Sequence, residues 1–139
     1  MHNEIYMHQG ITNKIWGYEK LITNTPYHCG KTLIIYPNNK TSSMHYHKKK
    51  VETLHILKGY LRLQTFVCKY KQITTQINDW GLTNEHTMPP GMSITLNPGL
   101  AHKFWALNEL AEAIEISTHE TPDDTIRIEY GGDIPRNNY

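Results

Sequence analysis

Hydrophobic and polar residues alternate along most of this chain with a period of two, the signature of half-buried strands. The segments richest in Val, Ile, Leu, Thr and aromatic residues are "KTLIIY" (31–36), "ETLHIL" (52–57), "YLRLQTFVCKY" (60–70), "QITTQI" (72–77), "MSITL" (92–96), "AHKFWAL" (101–107) and "EAIEIS" (112–117). No stretch of a dozen residues carries a clean period of 3.6. The punctuation "PNN", "KG", "PPG", "NPG" and "GG" recurs at the spacing of a β-sandwich or barrel. One stretch is two-sided: "ALNELAEAIEI" (106–116) has the Ala, Leu and Glu content of a helix, but its second half alternates. It is read as a hairpin turning at Asn108-Glu109. An all-β chain of 139 residues is long enough for one well-buried domain and short for two. The expected layout is a single domain over 1–139, with a core barrel at about 31–119, an N-terminal arm at 1–30 and a C-terminal tail at 120–139. The closing "GGDIPRNNY" is expected to be loosely ordered.

Charge narrows the partners. Fourteen Lys plus Arg stand against 13 Asp plus Glu, so no basic excess argues for nucleic acid or an anionic membrane. No apolar run approaches the roughly 18 residues of a membrane span, and "MHNEIYMHQG" lacks the layout of a secretory signal. A soluble, cytoplasmic protein with a small-molecule partner is expected. Cys29 and Cys68 have neither CxxC spacing nor the density of a disulfide scaffold; they are read as reduced, buried or half-buried thiols.

Nine histidines are a rich supply, and their placement carries chemistry. In an extended strand i and i+2 share a face, so His45 and His47 of "HYHKKKVETLHILKG" project together as two nitrogen donors. Glu52 follows a turn long enough to return a carboxylate to them, and His102 lies on a distant strand after the "NPG" turn. Three imidazoles and a carboxylate leave open positions on a divalent transition metal: Fe, Mn, Co, Ni or Zn. Taken singly, each has a plainer reading: HxH as solvated surface, Glu52 as an exposed strand residue, His102 as a hydrogen-bonded core histidine.

The joint spacing resembles the two-motif signature of the cupin superfamily. His45, His47, four residues, Glu52, six residues and Gly59 follow its first motif. Gly91, five residues, Asn97, Pro98, Gly99, two residues and His102 follow its second. Asn97 stands where the first proline of the second motif is usual, Asn39 where the first motif opens with Gly, and Ala106 where Asn closes the second. The resemblance implies a double-stranded β-helix (jelly-roll) barrel with His45, His47, Glu52 and His102 holding one cation. In that fold the histidines point inward while Lys48, Lys49 and Lys50 occupy the connecting loop. The lysines are read as a solvated turn, or alternatively as positive potential for an anionic substrate at the barrel mouth.

Within cupins, "KIWGYE" (14–19) and "IEISTHETPDDTIRIEYGG" (114–132) resemble the cupin domain of type II phosphomannose isomerases and small stand-alone relatives. Trp16, Gly17, Glu115, Asp123, Asp124, Arg127, Glu129, Tyr130 and Gly131 hold the matching places. The His47–Glu52 loop is about two residues longer than usual there, Lys48 replaces an Arg, "GGDIPR" interrupts the closing Tyr-Gly-Arg, and no attached nucleotidyltransferase domain is expected. The resemblance implies a metal-dependent isomerase of a sugar or sugar phosphate, mannose-6-phosphate isomerase-like. Glu115 and His119 are then candidate proton carriers, and Arg127 would hold phosphate or polarise an oxygen. Plainer readings are a strand-end carboxylate, a loop histidine and a surface Arg-Asp pair. Lys31 and Tyr46 are candidates to line the cavity. The competing functions are a metal-dependent dioxygenase and a non-catalytic sugar-binding cupin. A homodimer is expected, since pairing through edges would cover exposed strands.

Overall fold

The computed structural model describes residues 3–8 and 10–135. Nine strands form one curled sheet: β1 (Ile11–Lys14), β2 (Gly17–Asn24), β3 (Cys29–Ile35), β4 (Met44–His47), β5 (Glu52–Cys68), β6 (Trp80–Met88), β7 (Ser93–Leu96), β8 (Ala101–Ser117) and β9 (Thr125–Glu129). The pairing runs β1-β2-β3-β8-β4-β9, and β5 adds contacts to β6, β7 and β8. Every pairing is antiparallel. Among the described residues there is no α-helix, only 3-10 turns at 77–79 and 122–124, and so no helix long and apolar enough to cross a membrane.

Alternation decides what the sheet encloses. Along β3 the buried positions are Cys29, Lys31, Leu33 and Ile35; in the first half of β5 they are Glu52, Leu54 and Ile56. Of these, Leu33, Ile35, Leu54 and Ile56 join Trp16, Leu61, Leu63, Met88, Leu96, Phe104, Ala106, Ala111 and Ala113 in the main apolar core. Each fully buried Leu or Ile contributes about 1.5–3 kcal/mol relative to exposure. A second cluster lies on the other face of β4 and β9, where Met44, Tyr46, Trp80 and Ala101 pack with Phe66, Ile126 and Ile128. Tyr46 stacks on Trp80 with ring centroids 5.4 Å apart, so it faces away from the interior that its neighbours His45 and His47 enter.

The sheet departs from the sequence-based expectation in four places. First, 106–116 is no hairpin. β8 runs through it and stays paired with β5, Leu107 opposite Tyr60 and Glu112 opposite Lys58, so 108–111 form a bulge set against Gly59. Asn108 takes a positive φ of 59° to make it, a conformation Asn tolerates. Gly59 has φ +70°, and a Cβ there would lie 2.4 Å from the Leu110 carbonyl oxygen, which is the physical reason for glycine at this motif position.

Second, "QITTQI" is a loop. Its Ile73 and Ile77 are exposed, and it is pinned by Thr74 Oγ1 donating to Asp79 and Trp80 Nε1 donating to the Thr74 carbonyl. The strand pairing with β5 comes later, as β6, whose interior residues are mostly exposed and polar and so lack a readable alternation. Third, strands lie beyond 31–119 at both ends: β1 and β2 before, β9 after. Fourth, the tail as far as 135 is tied down. Thr41 N–H donates to the Gly132 carbonyl, Ile134 N–H to the Asn39 carbonyl, and Lys40 pairs with Asp133. The last four residues of that stretch lie outside the described residues.

Candidate metal centre

β4 delivers His45 and His47 to the interior, the start of β5 delivers Glu52, and β8 delivers His102 directly opposite His45. Glu52, His47 and His102 are buried and His45 is half-buried. One donor atom from each lies within 4.8 Å of all the others. Donors at opposite sides of an ion bound at 2.0–2.2 Å are about 4.4 Å apart, and adjacent ones closer, so the four fit around one divalent cation.

The hydrogen bonds behind the rings set their tautomers. Nδ1 of His45 donates to the Ser43 carbonyl at 3.0 Å and Nδ1 of His102 to the Leu100 carbonyl at 3.0 Å. Nδ1 of His47 meets Thr125 Oγ1 at 3.2 Å, with an Asp124 oxygen 3.7 Å away. The Nε2 lone pairs of His45 and His102 are thereby left to face inward, the arrangement metal-binding histidines use. Nε2 of His102 stands 2.8 Å from Glu52 Oε1, and that of His47 3.5 Å from it. Two lone pairs do not rest against each other at 2.8 Å, so the gap calls for a proton or a cation. Burial, with His102 beside it, holds His45 well below its ordinary value, which suits a neutral ligand. Burial alone would raise Glu52, but hydrogen bonds with His102 and His47 and the Lys50 charge hold it well below the usual carboxylate range.

Beside this cluster lies a buried ionic wall, of which sequence reasoning offered Glu115 and Lys31 but not Lys50, Glu19 or Glu120. Lys50 is not a solvated turn residue: only 3 % exposed, it places Nζ 3.3 Å from Glu52, 3.2 Å from Glu115 and 3.0 Å from Glu120. Burial disfavours its charge, but the three carboxylates raise it above the ordinary lysine value. Lys31 enters from β3, opposite Glu115 in register, and pairs with Glu120 at 2.7 Å and Glu19 at 3.4 Å. Asp124 shapes the loop that turns Lys50 inward. Its carboxylate accepts from the backbone N–H of Lys49 and Lys50 at 2.8 and 3.0 Å, and its carbonyl from Lys48 N–H at 3.0 Å. Lys48 and Lys49 are exposed, as expected. The only sequence signals for the missed members of this wall were the extra loop length and the acid-rich segment after β8.

Glu115 is buried at this wall. Burial, reinforced by the nearby Glu52 charge, pushes it up to about 8, so it holds a proton near neutral pH. His119 does not join it. β8 ends at Ser117, the alternation lapses, and Nδ1 of His119 donates outside to Asn24 Oδ1 and the Thr25 carbonyl; its neighbour Glu120 enters the cavity instead. Arg127, opposite His45 in register on β9, lines the cavity's exposed part. The cavity has a volume of about 530 Å³, ordinary for a small-molecule site. Lys31 lines it and Tyr46 does not.

The family described as D-lyxose isomerase matches residues 11–136. The chain belongs to the D-lyxose isomerase family. No curated protein matches. The fold is that of the cupins, and similar solved structures include CapF, a capsular polysaccharide assembling protein from Staphylococcus aureus (TM-score 0.70, 18% identity, 90% of this chain and 32% of that one). Oxalate decarboxylase from Lactobacillus farciminis is also similar (TM-score 0.66, 14% identity, 91% and 37%), as is KdgF from Halomonas sp. (TM-score 0.59, 13% identity, 88% and 90%). This D-lyxose isomerase family member spans about a third of the length of the CapF and oxalate decarboxylase chains.

Proposed function

We propose that the protein is a metal-dependent aldose–ketose isomerase of the D-lyxose type, with His45, His47, Glu52 and His102 holding one divalent cation. When bound, the cation polarises the sugar's carbonyl and neighbouring hydroxyl. The remaining chemistry is moving a proton between C1 and C2, which needs a carboxyl that can both take and return it.

The observation that carries this reading is Glu115, a buried carboxyl on the cavity wall, held near 8 and in contact with Lys50. A carboxyl poised near neutrality exchanges protons in either direction with little driving-force loss. Lys50, bridging Glu115 and the Glu52 ligand, fixes both carboxylates relative to each other. It also holds Oε2 of Glu52, leaving Oε1 as the oxygen that faces His47 and His102. D-Lyxose and D-mannose share their configuration at C2, C3 and C4, so the family match and the likeness to phosphomannose isomerases point to one sugar frame.

The test is solvent exchange. Protein reconstituted separately with Mn, Fe, Co, Ni or Zn is incubated in deuterated buffer with D-lyxose, D-mannose and mannose 6-phosphate. Deuterium at C2, with ketose formed, is the expected result in at least one metal. Oxygen consumption without exchange, or binding without either, would overturn the isomerase reading.

A further inference from the structure

Asp124 is a buried carboxylate that the isomerase chemistry does not use. It is only 5 % exposed, and a carboxylate taken out of water needs hydrogen bonds and positive charge to offset its lost hydration. The backbone supplies the hydrogen bonds: Oδ1 accepts from Lys49 N–H at 2.8 Å and Oδ2 from Lys50 N–H at 3.0 Å. The charge does not come from the lysines of the loop it clasps. Lys48 and Lys49 are exposed, and Lys50 Nζ goes to Glu52, Glu115 and Glu120. The one basic side chain paired with Asp124 among the described residues is the ligand His47, whose Nδ1 is 3.7 Å from Oδ2. The positive charge left to Asp124 is therefore that of a held cation, felt through the His47 ring.

This carboxylate lies behind two of the four ligands. Thr125, opposite His47 in register on β9, meets Nδ1 at 3.2 Å, and Oδ2 of Asp124 stands beside that contact. Negative charge behind an imidazole favours the Nδ1–H tautomer and makes Nε2 the stronger donor. On the way to Glu52, three successive N–H groups turn toward Asp124, since Lys48 N–H donates to its carbonyl at 3.0 Å. That turn seats Lys50 Nζ 3.3 Å from Oε2 of Glu52 and leaves Oε1 facing His47 and His102. The far end of the loop is anchored separately: Val51 N–H donates to Thr118 Oγ1 at 3.2 Å, and Thr118 N–H to the Val51 carbonyl at 3.1 Å.

We propose that Asp124 is a positioning residue of the metal centre, coupling the orientation of His47 to the seat of Lys50 against Glu52. The coupling rests on the four-ligand set proposed above and not on the sugar chemistry. It is reciprocal: whatever factor Asp124 adds to ion affinity, the ion adds to the Asp124 clasp on the loop.

The experiment titrates Co²⁺ alone into metal-free wild type, Asp124→Asn and Asp123→Asn, reading affinity by chelator competition and the ligand field by visible absorption. Asn preserves the side chain's size but turns an NH2 toward one of the two loop N–H groups. Asp124→Asn should weaken Co²⁺ binding roughly ten- to a hundredfold, and the exposed neighbour Asp123→Asn by less than about twofold. A second readout needs only the wild type and so stands even if Asp124→Asn does not fold: amide exchange by NMR, with and without Zn²⁺. Zn²⁺ should slow exchange at Lys49 and Lys50 about tenfold more than at Val51. General stiffening by a filled ligand set would instead slow Val51 most, because it adjoins Glu52. Co²⁺ affinity in Asp124→Asn within about twofold of wild type, or exchange slowed at Val51 as much as at Lys49 and Lys50, would overturn the inference and leave the ligand set standing. A wild type that binds neither ion would remove the ligand set, and the inference with it. Affinity and exchange that follow the prediction with no turnover of any sugar would support the inference and remove the isomerase reading.

Discussion

Replacing Glu115 by Gln keeps the side chain's shape and removes the group that titrates. Burial, with Glu52 nearby, pushes this carboxyl up to about 8 from an ordinary value of 4.5. A carboxyl that holds its proton more tightly when folded contributes stability that is full below the unfolded value and is lost as pH rises through the folded one, here between about pH 4.5 and 8. At 1.36 kcal/mol per pH unit the ceiling is roughly 5 kcal/mol. Lys50, 3.2 Å away, already lowers that value; relaxation and water penetration around the buried group should bring the observed loss to about 2–3 kcal/mol.

His45 acts in the opposite sense. Kept neutral by burial and His102, it adds stability as pH rises through the ordinary histidine value, in both proteins alike. The assay is therefore a difference: urea unfolding of metal-free wild type and Glu115→Gln at pH 5 and pH 8. The wild type should lose about 2–3 kcal/mol relative to the variant across that interval. A gap that stays constant within about 0.5 kcal/mol would refute the placement of a protonated Glu115 beside Glu52.

Lys50→Met should leave the buried Glu52 carboxylate without its lysine, while Glu120 keeps Lys31 at 2.7 Å, and should destabilise the metal-free protein by about 3–5 kcal/mol, whereas Lys48→Met and Lys49→Met should each stay within about 0.5 kcal/mol; denaturant melts separate the two cases. His119→Ala should leave isomerase turnover within a few-fold of wild type, because its ring is engaged outside the cavity, and kinetics on the best sugar will show it. Gly59→Ala should cost roughly 1–3 kcal/mol, measured by urea unfolding, since it forces a side chain into a positive φ and against the Leu110 carbonyl.

What the sequence revealed and what it hid follow from the range of the interactions. His45, His47, Glu52 and His102 were legible because strand periodicity fixes the face of an HxH pair and motif spacing fixes the rest. Gly59 was legible for the same reason, although its cause, a bulge from β8 pressed against it, was not. Lys50 looked like one of three equivalent turn lysines. Only the Asp124 carboxylate, clasping the backbone from 74 residues away, turns its side chain inward. His119, a candidate proton carrier by resemblance, sits outside the cavity because β8 stops at Ser117, and its neighbour Glu120 lines the interior instead. β6 was missed because a polar edge strand has one paired side and little burial to impose a pattern.

The account rests on four side chains gripping one cation, and native mass spectrometry of the reconstituted protein tests that most directly. One divalent ion per chain is predicted, abolished when His45 and His102 are both replaced by Ala and retained in His119→Ala. A chain that stays empty with Mn, Fe, Co, Ni and Zn, or an ion that survives the double replacement, would contradict it.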